Sequence, residues 1–224
     1  IMRIGKFIQI FKISFAQEFA YRLNFIMWRV RNVMQIFLVF FLWDAIFADP
    51  ARQLFGYDRN KILTYVFGIL ILRALVFSAR AVDIAGEISR GDLSNFLLKP
   101  VGYFKYWFTR DVSSKALNIA FATVEATILF IILKPPFFLQ TDPTILILFA
   151  LSVLIAVLIF FGLLLLVNMS AFWSPESGWA AQFLFMIIIV EFLSGAVFPI
   201  DVLPFTLQKI LHFLPFPYLL FFPL

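Results

Sequence analysis

The chain has 224 residues, of which 63% are hydrophobic and 14% are charged, and its mean hydropathy is +0.99. Soluble domains average about 25% charged residues, so these few polar groups cannot cover the surface of a soluble domain. The chain has no Cys and a single His, His212, which excludes disulfides, thiolate chemistry and His-rich metal clusters. Its net charge of +5 arises from Lys and Arg beside apolar runs, where they orient a membrane protein. We therefore predict a membrane protein with no nucleic-acid partner.

The first residues predict an amphipathic helix. Apolar side chains recur on one helical face and polar side chains on the other, and a basic amphipathic helix suits the plane of the membrane surface. The alternative is that this stretch is only the start of the first span. We expect no cleavable signal peptide, because basic residues interrupt every apolar run here. The apolar positions are Ile4, Phe7, Ile8, Phe11, Phe15 and Phe19, and the polar positions are Lys6, Gln9, Lys12 and Gln17.

Five apolar segments predict spanning helices, because about 20 apolar residues cross a bilayer. The clearest is 145–167, which contains no charged residue. The other four are 25–47, 62–82, 116–133 and 180–198. Segment 116–133 contains an Asn and a Glu, so it is expected to insert only beside other helices.

Three ionisable residues, Arg73, Glu125 and Glu191, lie well inside these predicted spans, and Asp44 and Arg80 lie near span ends. Charged side chains are costly in hydrocarbon, and they commonly mark a functional site or pair with each other. Two interpretations remain open. Arg73 pairs with Glu125 or Glu191 and joins two helices, or these residues act directly on a substrate or in gating.

The distribution of Lys and Arg predicts the orientation. Residues 1–32 and 83–115 are rich in both, so we expect them and the N-terminus to be cytoplasmic. Residues 48–61 and 134–143 carry few, and we place them outside together with everything after residue 198.

Five prolines interrupt the apolar sequence after the fifth predicted span. Proline removes a backbone donor and clashes with the preceding helical turn, so this stretch cannot form one spanning helix. Broken backbone at membrane depth must be buried in protein or line a cavity. We therefore expect short re-entrant helices on the outer side. The prolines are Pro199, Pro204, Pro215, Pro217 and Pro223.

The cytoplasmic stretch between the second and third spans predicts two short helices. Gly91 is a candidate helix stop, Asp92 a candidate N-cap for the second helix, and Pro100 its end. An apolar face rimmed by charge predicts docking to a partner. The alternative is that the loop packs against its own helix bundle. The face consists of Leu93, Phe96 and Leu97.

Several short motifs in this stretch resemble the coupling region of ABC-2-type transporter permeases. They are Gly86-Glu87-Ile88, Gly91-Asp92-Leu93-Ser94 and Leu97-Leu98-Lys99-Pro100-Val101. The later run is similar to the same family. It comprises Phe172-Trp173, Gly178-Trp179, Ser194-Gly195, Phe198-Pro199, Leu203-Pro204 and Leu214-Pro215-Phe216. Their order and spacing over residues 80–224 carry the resemblance.

The resemblance implies an all-α polytopic membrane protein with an N-terminal interfacial helix, a cytoplasmic coupling helix and outer re-entrant helices. It implies six spans in the full fold, so we expect residues 1–224 to form a single transmembrane domain lacking its final span. It also implies pairing of two permeases, as a homodimer or heterodimer, with two ATPase subunits in the inner membrane of a prokaryotic cell. The residues expected to couple to the ATPase are Gly86, Glu87, Gly91, Asp92, Leu93, Phe96 and Leu97.

The sequence contains no GxxxxGK[ST] phosphate loop, no HExxH and no GxSxG motif. We therefore expect a non-catalytic transport subunit that has no cofactor of its own, with ATP and Mg on the partner. Its expected function is outward movement of an amphiphilic or hydrophobic substrate. The alternatives are a membrane-embedded lipid-modifying enzyme, which would require a cluster of His, Asp or Glu at one depth, and a membrane scaffold protein.

Overall fold

The computed structural model describes residues 2–20, 22–49, 53–98, 101–136 and 140–224. It is 77% helical, and no strand occurs among the described residues, which confirms the all-α prediction. The helices in chain order are α1 (Met2–Ala20), α2 (Arg22–Ile46), α3 (Arg59–Val76), α4 (Ile84–Ser89), α5 (Leu93–Leu97), α6 (Tyr103–Leu133), α7 (Pro143–Asn168), α8 (Gly178–Phe183), α9 (Glu191–Leu193) and α10 (Phe205–His212).

Two stretches in the described part of the chain are long and apolar enough to cross a membrane. They are Tyr103–Leu133, and Pro143–Phe172, in which a 3-10 turn extends α7. A third span results if α3 and the helical segment Arg80–Ser89, which bends away from it by 50°, are counted together. The apolar helix Ala180–Leu193 is shorter. The chain is therefore a membrane protein, and the predicted number of five spans stays a prediction.

Helix α3 lies at the centre of the core. It contributes ten buried residues and packs against α2, α6 and α7. Phe67 of α3 meets Phe40 of α2 edge to face at 6.0 Å between ring centroids, a favourable aromatic geometry. Asp58 begins α3 by accepting a hydrogen bond from the Lys61 amide at 2.8 Å, which caps the helix.

Helix α6 is longer than the sequence predicted. Its 31 residues extend about 46 Å at 1.5 Å per residue, whereas the hydrocarbon core is about 30 Å thick. Residues 103–115, predicted as part of a cytoplasmic loop, form the first turns of this helix. The prediction of a loop failed because charged residues lower the hydropathy of these turns without breaking the helix.

Helix α1 packs along the early turns of α6. Ser113 donates a hydrogen bond from its hydroxyl to the Phe11 carbonyl at 3.1 Å, and Ser14 is buried. On the predicted apolar face, Phe7, Phe11 and Phe15 are half-buried and Ile8 is exposed; the side chains of Ile4 and Phe19 lie outside the described residues. The helix forms as predicted, and its interfacial position stays a prediction.

The proline-rich segment folds as short pieces. Helix α9 ends at Leu193, a 3-10 turn follows at Ile200–Val202, and α10 is eight residues long. This segment covers one end of α2 and the turn before α3, because Trp43 donates to the Val197 carbonyl at 3.3 Å and Tyr57 to the Asp201 carboxylate at 2.9 Å. Burial, followed by the hydrogen bond to Asp201, raises the pKa of Tyr57 above its ordinary value.

Gly195 fixes the start of this segment. Its φ is +87°, and its carbonyl accepts a hydrogen bond from the Tyr65 hydroxyl at 2.7 Å. A Cβ at this position would lie 2.7 Å from the Tyr65 hydroxyl oxygen and 2.8 Å from the Phe221 Cβ. Both the backbone conformation and the close contacts therefore require glycine.

We expect Gly195→Ala to lower the midpoint of thermal unfolding in detergent, because the alanine adds backbone strain and two steric clashes at once. Gly162→Ala in α7 is the matched control, since a methyl group added there would meet nothing within 4 Å apart from the backbone of its own helix. That control should not lower the midpoint, because alanine favours a helix over glycine by about 1 kcal/mol. Equal midpoints for the two variants would contradict the role assigned to Gly195.

Candidate coupling region and buried polar network

Helix α3 ends at Val76, and residues 77–79, the α3 break, connect it to the 3-10 turn Arg80–Asp83. Lys115 of α6 is 5% exposed and donates from Nζ to the carbonyls of Val76, at 3.0 Å, and Ser78, at 2.6 Å. Asp111, one turn earlier on α6, is fully buried and accepts from the Ala81 amide at 2.9 Å. The two charged side chains of α6 thus satisfy backbone groups that the α3 break would otherwise leave unpaired.

The sequence did not predict the burial of Lys115 and Asp111, because both lie in a stretch that its basic residues marked as a loop. Their spacing of four residues would place opposite charges on one helical face. That spacing directly before an apolar run is the sequence signal that could have identified them as buried.

Asn168, at the end of α7, is also fully buried, and its side chain makes hydrogen bonds to several elements. Its amide nitrogen donates to the carbonyls of Ala81, at 3.0 Å, and Leu164, at 2.7 Å, and its amide oxygen accepts from the Ala85 amide at 3.2 Å. Gln182 of α8 also donates to the Asn168 side chain, and to the Val82 carbonyl at 2.6 Å. These bonds join α7, α8 and the backbone on both sides of the start of α4.

Gly91 ends the helical turn that follows, as the sequence predicted. Its φ is +75°; its amide donates to the Ile88 carbonyl at 3.0 Å, and the Asp92 amide donates to the Glu87 carbonyl at 2.9 Å. This pair of bonds closes the end of α4 around a left-handed glycine. Gly86 lies within α4, and a Cβ at this position would lie 3.0 Å from a guanidinium nitrogen of Arg90.

Asp92 occupies the N-cap position of α5, as predicted, but its side chain does not cap the helix. That side chain accepts no backbone amide of α5. Its carboxylate instead accepts from Arg90 Nε at 2.9 Å, and the backbone of Asp92 is already helical. The predicted end at Pro100 lies outside the described residues.

Phe96 is 4% exposed, so its side chain is not available to a partner. Its ring lies 5.0 Å from the Tyr103 ring and 4.7 Å from the Tyr106 ring, both in α6. Glu87 accepts from the Tyr103 hydroxyl at 3.3 Å. For Phe96 the alternative interpretation, packing against its own bundle, is therefore correct.

The exposed apolar side chain of this region is instead Leu98, at 86% exposure. Leu93 is half-buried, and the side chain of Leu97 lies outside the described residues, although its backbone ends α5. A role of these residues in coupling stays a prediction.

A polar cavity of about 470 Å³ lies between α4 and the turn after α7. Ser89 bridges its two sides by donating to the Pro175 carbonyl at 2.7 Å. Two regions distant in sequence therefore form one surface at this end of the molecule. The charged and amide side chains lining it are Asp83, Glu87, Arg90, Arg110, Glu176 and Gln182.

The three ionisable residues predicted inside the spans do not form one cluster. Arg73 makes a bidentate pair with Glu191, at 2.7 and 2.9 Å, and Gln35 also donates to Glu191. Glu125 pairs with Arg29 of α2 at 3.2 Å. Arg29 was missed because it lies at the basic start of the first predicted span.

The Arg73–Glu191 pair is expected to matter more for stability than the Asp44–Arg59 pair, which is a matched comparison. In the first pair the side chains are 17% and 11% exposed, whereas Arg59 and Asp44 are 41% and 31% exposed. Arg73→Ala should cost about 3–5 kcal/mol of unfolding free energy, because it leaves Glu191 buried and without its partner. Arg59→Ala should cost about 0.2–1 kcal/mol. Denaturant unfolding in micelles measures both costs, and equal costs would contradict the assignment.

Lys115→Met should loosen the α3 break, because the carbonyls of Val76 and Ser78 lose their donor and Asp111 loses a nearby positive charge. We expect faster amide hydrogen exchange in residues 77–83. Lys105→Met on the exposed face of α6 is the control and should leave exchange unchanged. If both variants exchange alike in these residues, Lys115 does not stabilise the break.

The chain matches a family model described as "ABC-2 family transporter protein" over residues 33–224. No curated protein and no solved structure matched it. Members of this family are generally non-catalytic permease subunits of ABC transporters, which work with an ATPase partner. The match covers most of the chain, including α3, the coupling region and α7, so the chain belongs to the ABC-2 transporter family.

Proposed function

We propose that this chain is the permease subunit of an ATP-driven exporter in a prokaryotic inner membrane. A separate ATPase hydrolyses ATP with Mg²⁺, and a second permease completes the path. The substrate is amphiphilic or hydrophobic and moves outward. The chain itself carries no cofactor and no catalytic residue in this scheme.

The observation that carries the proposal is the rigid connection between the coupling region and the spanning helices. Phe96 fixes α5 to α6, and Lys115 and Asn168 fix the backbone before α4 to α6 and α7. Buried hydrogen bonds of this kind hold one arrangement because an unpaired buried group is costly. A force applied at α4 and α5 by an ATPase would therefore move the spanning helices.

The proposed topology has five spans and a cytoplasmic N-terminus. The spans are α2, α3, α6, α7 and the helix that begins with α8. Exposed apolar side chains on α7 support contact with lipid, since Ile147, Leu154 and Leu158 are 50–68% exposed. In this orientation α4 and α5 face the cytoplasm and α10 faces outward.

Leu98→Asp tests the contact with the ATPase. Leu98 is the exposed apolar side chain of the coupling region, and a charge in the core of an interface is strongly unfavourable. We expect at least a tenfold loss of ATPase association, with folding unchanged. The control is Phe213→Asp directly after α10, where the side chain is 92% exposed.

The measurement is co-purification of the tagged full chain with ATP-hydrolysing subunits from its native host, followed by ATP turnover and export in proteoliposomes. The wild type and Phe213→Asp should retain the ATPase, and Leu98→Asp should lose it. If the wild type retains no ATP-hydrolysing subunit, the proposed function is wrong. If Leu98→Asp retains it fully and exports normally, the coupling surface is elsewhere.

A further inference from the structure

Two irregular helical segments face each other at the level of the Arg73–Glu191 pair. The first is the α3 break. The second is Leu184–Val190, seven residues of π-helix between α8 and α9. π-helical turns are rare and occur frequently at functional sites. Phe77 and Ser78 from the break and Met186 and Ile187 from the π-helix line the same crevice.

The polar lining of this crevice is rich in hydrogen-bond donors. Two guanidinium groups and two primary amides lie beside one hydroxyl and one carboxylate, and Arg73 already engages the carboxylate. The hydroxyl oxygen of Ser78 is buried and has no hydrogen-bond partner within the described residues. Guanidinium forks match carboxylate and phosphate groups. The polar residues are Arg31, Asn32, Arg73, Ser78, Asn118 and Glu191.

The position of the crevice fits a substrate site. Asn118 lies one turn beyond Lys115 on α6, so the crevice adjoins the α3 break on its spanning side. Ionisable groups at membrane depth face cavities or substrate paths, and discontinuous helices mark binding sites in transporters. Lys115 binds the backbone carbonyl of Ser78, and Ser78 is also among the residues that line the crevice, so one residue belongs to both sites.

The size of the crevice limits what it can bind. Its volume is about 60 Å³, which is roughly the space of two water molecules. Only a small group fits. On the same helix as the crevice residues Met186 and Ile187, three apolar side chains are 49–52% exposed at a spacing of four residues, which gives an apolar strip along one face. They are Leu184, Ile188 and Phe192.

We infer that this crevice, where the α3 break faces the π-helix, binds the anionic head group of an amphiphile. The head group is a single phosphate or carboxylate, and Arg31 and Arg73 bind it. The apolar tail lies along the strip formed by Leu184, Ile188 and Phe192. The inference rests on the proposed function and specifies its substrate class.

The test uses the full chain with one reporter. Because the sequence has no Cys, Ile187→Cys gives a single labelling site at the crevice for an environment-sensitive fluorophore. The labelled chain in dodecyl maltoside micelles is titrated with decyl phosphate, decyltrimethylammonium and inorganic phosphate at constant ionic strength. No ATPase is present, so the result is independent of the proposed coupling.

We expect a saturable emission shift with decyl phosphate, and an affinity at least tenfold weaker for decyltrimethylammonium and inorganic phosphate. Arg31→Gln should weaken decyl phosphate binding by about tenfold, because a hydrogen bond to a charged group is lost. Arg31 is exposed, so this change should leave the fold intact. Lys105→Gln removes one positive charge from an exposed position on α6 and should have no effect.

Three outcomes would overturn the inference. One is an equal response to the anionic and cationic decyl compounds, which would indicate partitioning into the micelle. Another is equal affinity for inorganic phosphate and decyl phosphate, which would indicate an anion site with no role for a tail. The third is an equal effect of Arg31→Gln and Lys105→Gln. None of these outcomes would affect ATPase association or the proposed role as a permease.

Discussion

The structure depends on how it satisfies backbone polar groups where α3 breaks within an apolar core. An unpaired buried carbonyl or amide costs about 1–3 kcal/mol, and more where no water can reach it. Lys115 donates to two carbonyls of this stretch, and Asp111 accepts one amide. Because both charged side chains are buried, they are stable only together with the backbone that they bind. The break, the early turns of α6 and their charges therefore form one unit.

This unit determines where α4 and α5 lie. The chain leaves α3 at an angle of 50°, and Asn168 and Gln182 bind the backbone immediately after the bend. Gly178 brings α8 against this region, because a Cβ there would lie 3.2 Å from the Ala171 Cβ and 3.4 Å from the Ala85 Cβ. Helix α4 and the turn before it thus share hydrogen bonds and close packing with α7 and α8, with no flexible connection between them in the described residues. Members of this family work with a separate ATPase, and a signal from that ATPase requires a rigid connection of this kind.

Hydropathy and breaker residues predicted much of this fold. The uncharged segment 145–167 predicted α7 to within two residues at either end. The prolines predicted the short helices near residue 205, and Gly91 predicted the end of α4. The burial of Phe96 was not predictable, because an amphipathic face looks the same whether a partner or the chain's own α6 covers it. Which acid pairs with which arginine depends on tertiary packing, so the Arg29–Glu125 pair left no local pattern. The π-helix of Leu184–Val190 likewise has an ordinary apolar sequence.

The helix that begins with α8 is anchored at both ends and irregular between them. Gln182 holds its base to the Val82 carbonyl, and Glu191 holds its far end to Arg73. Between these anchors the π-helical hydrogen bonds reach one residue further than in an α-helix, and long runs of them are rare. Removing one residue from such a turn would rotate the remainder of the helix by about 100°, the angle per residue of an α-helix. Because the anchors resist displacement of either end, a change in length or rotation must occur in the π-helix. The polar crevice lies directly against that segment, so any motion of this helix changes the shape of the crevice first.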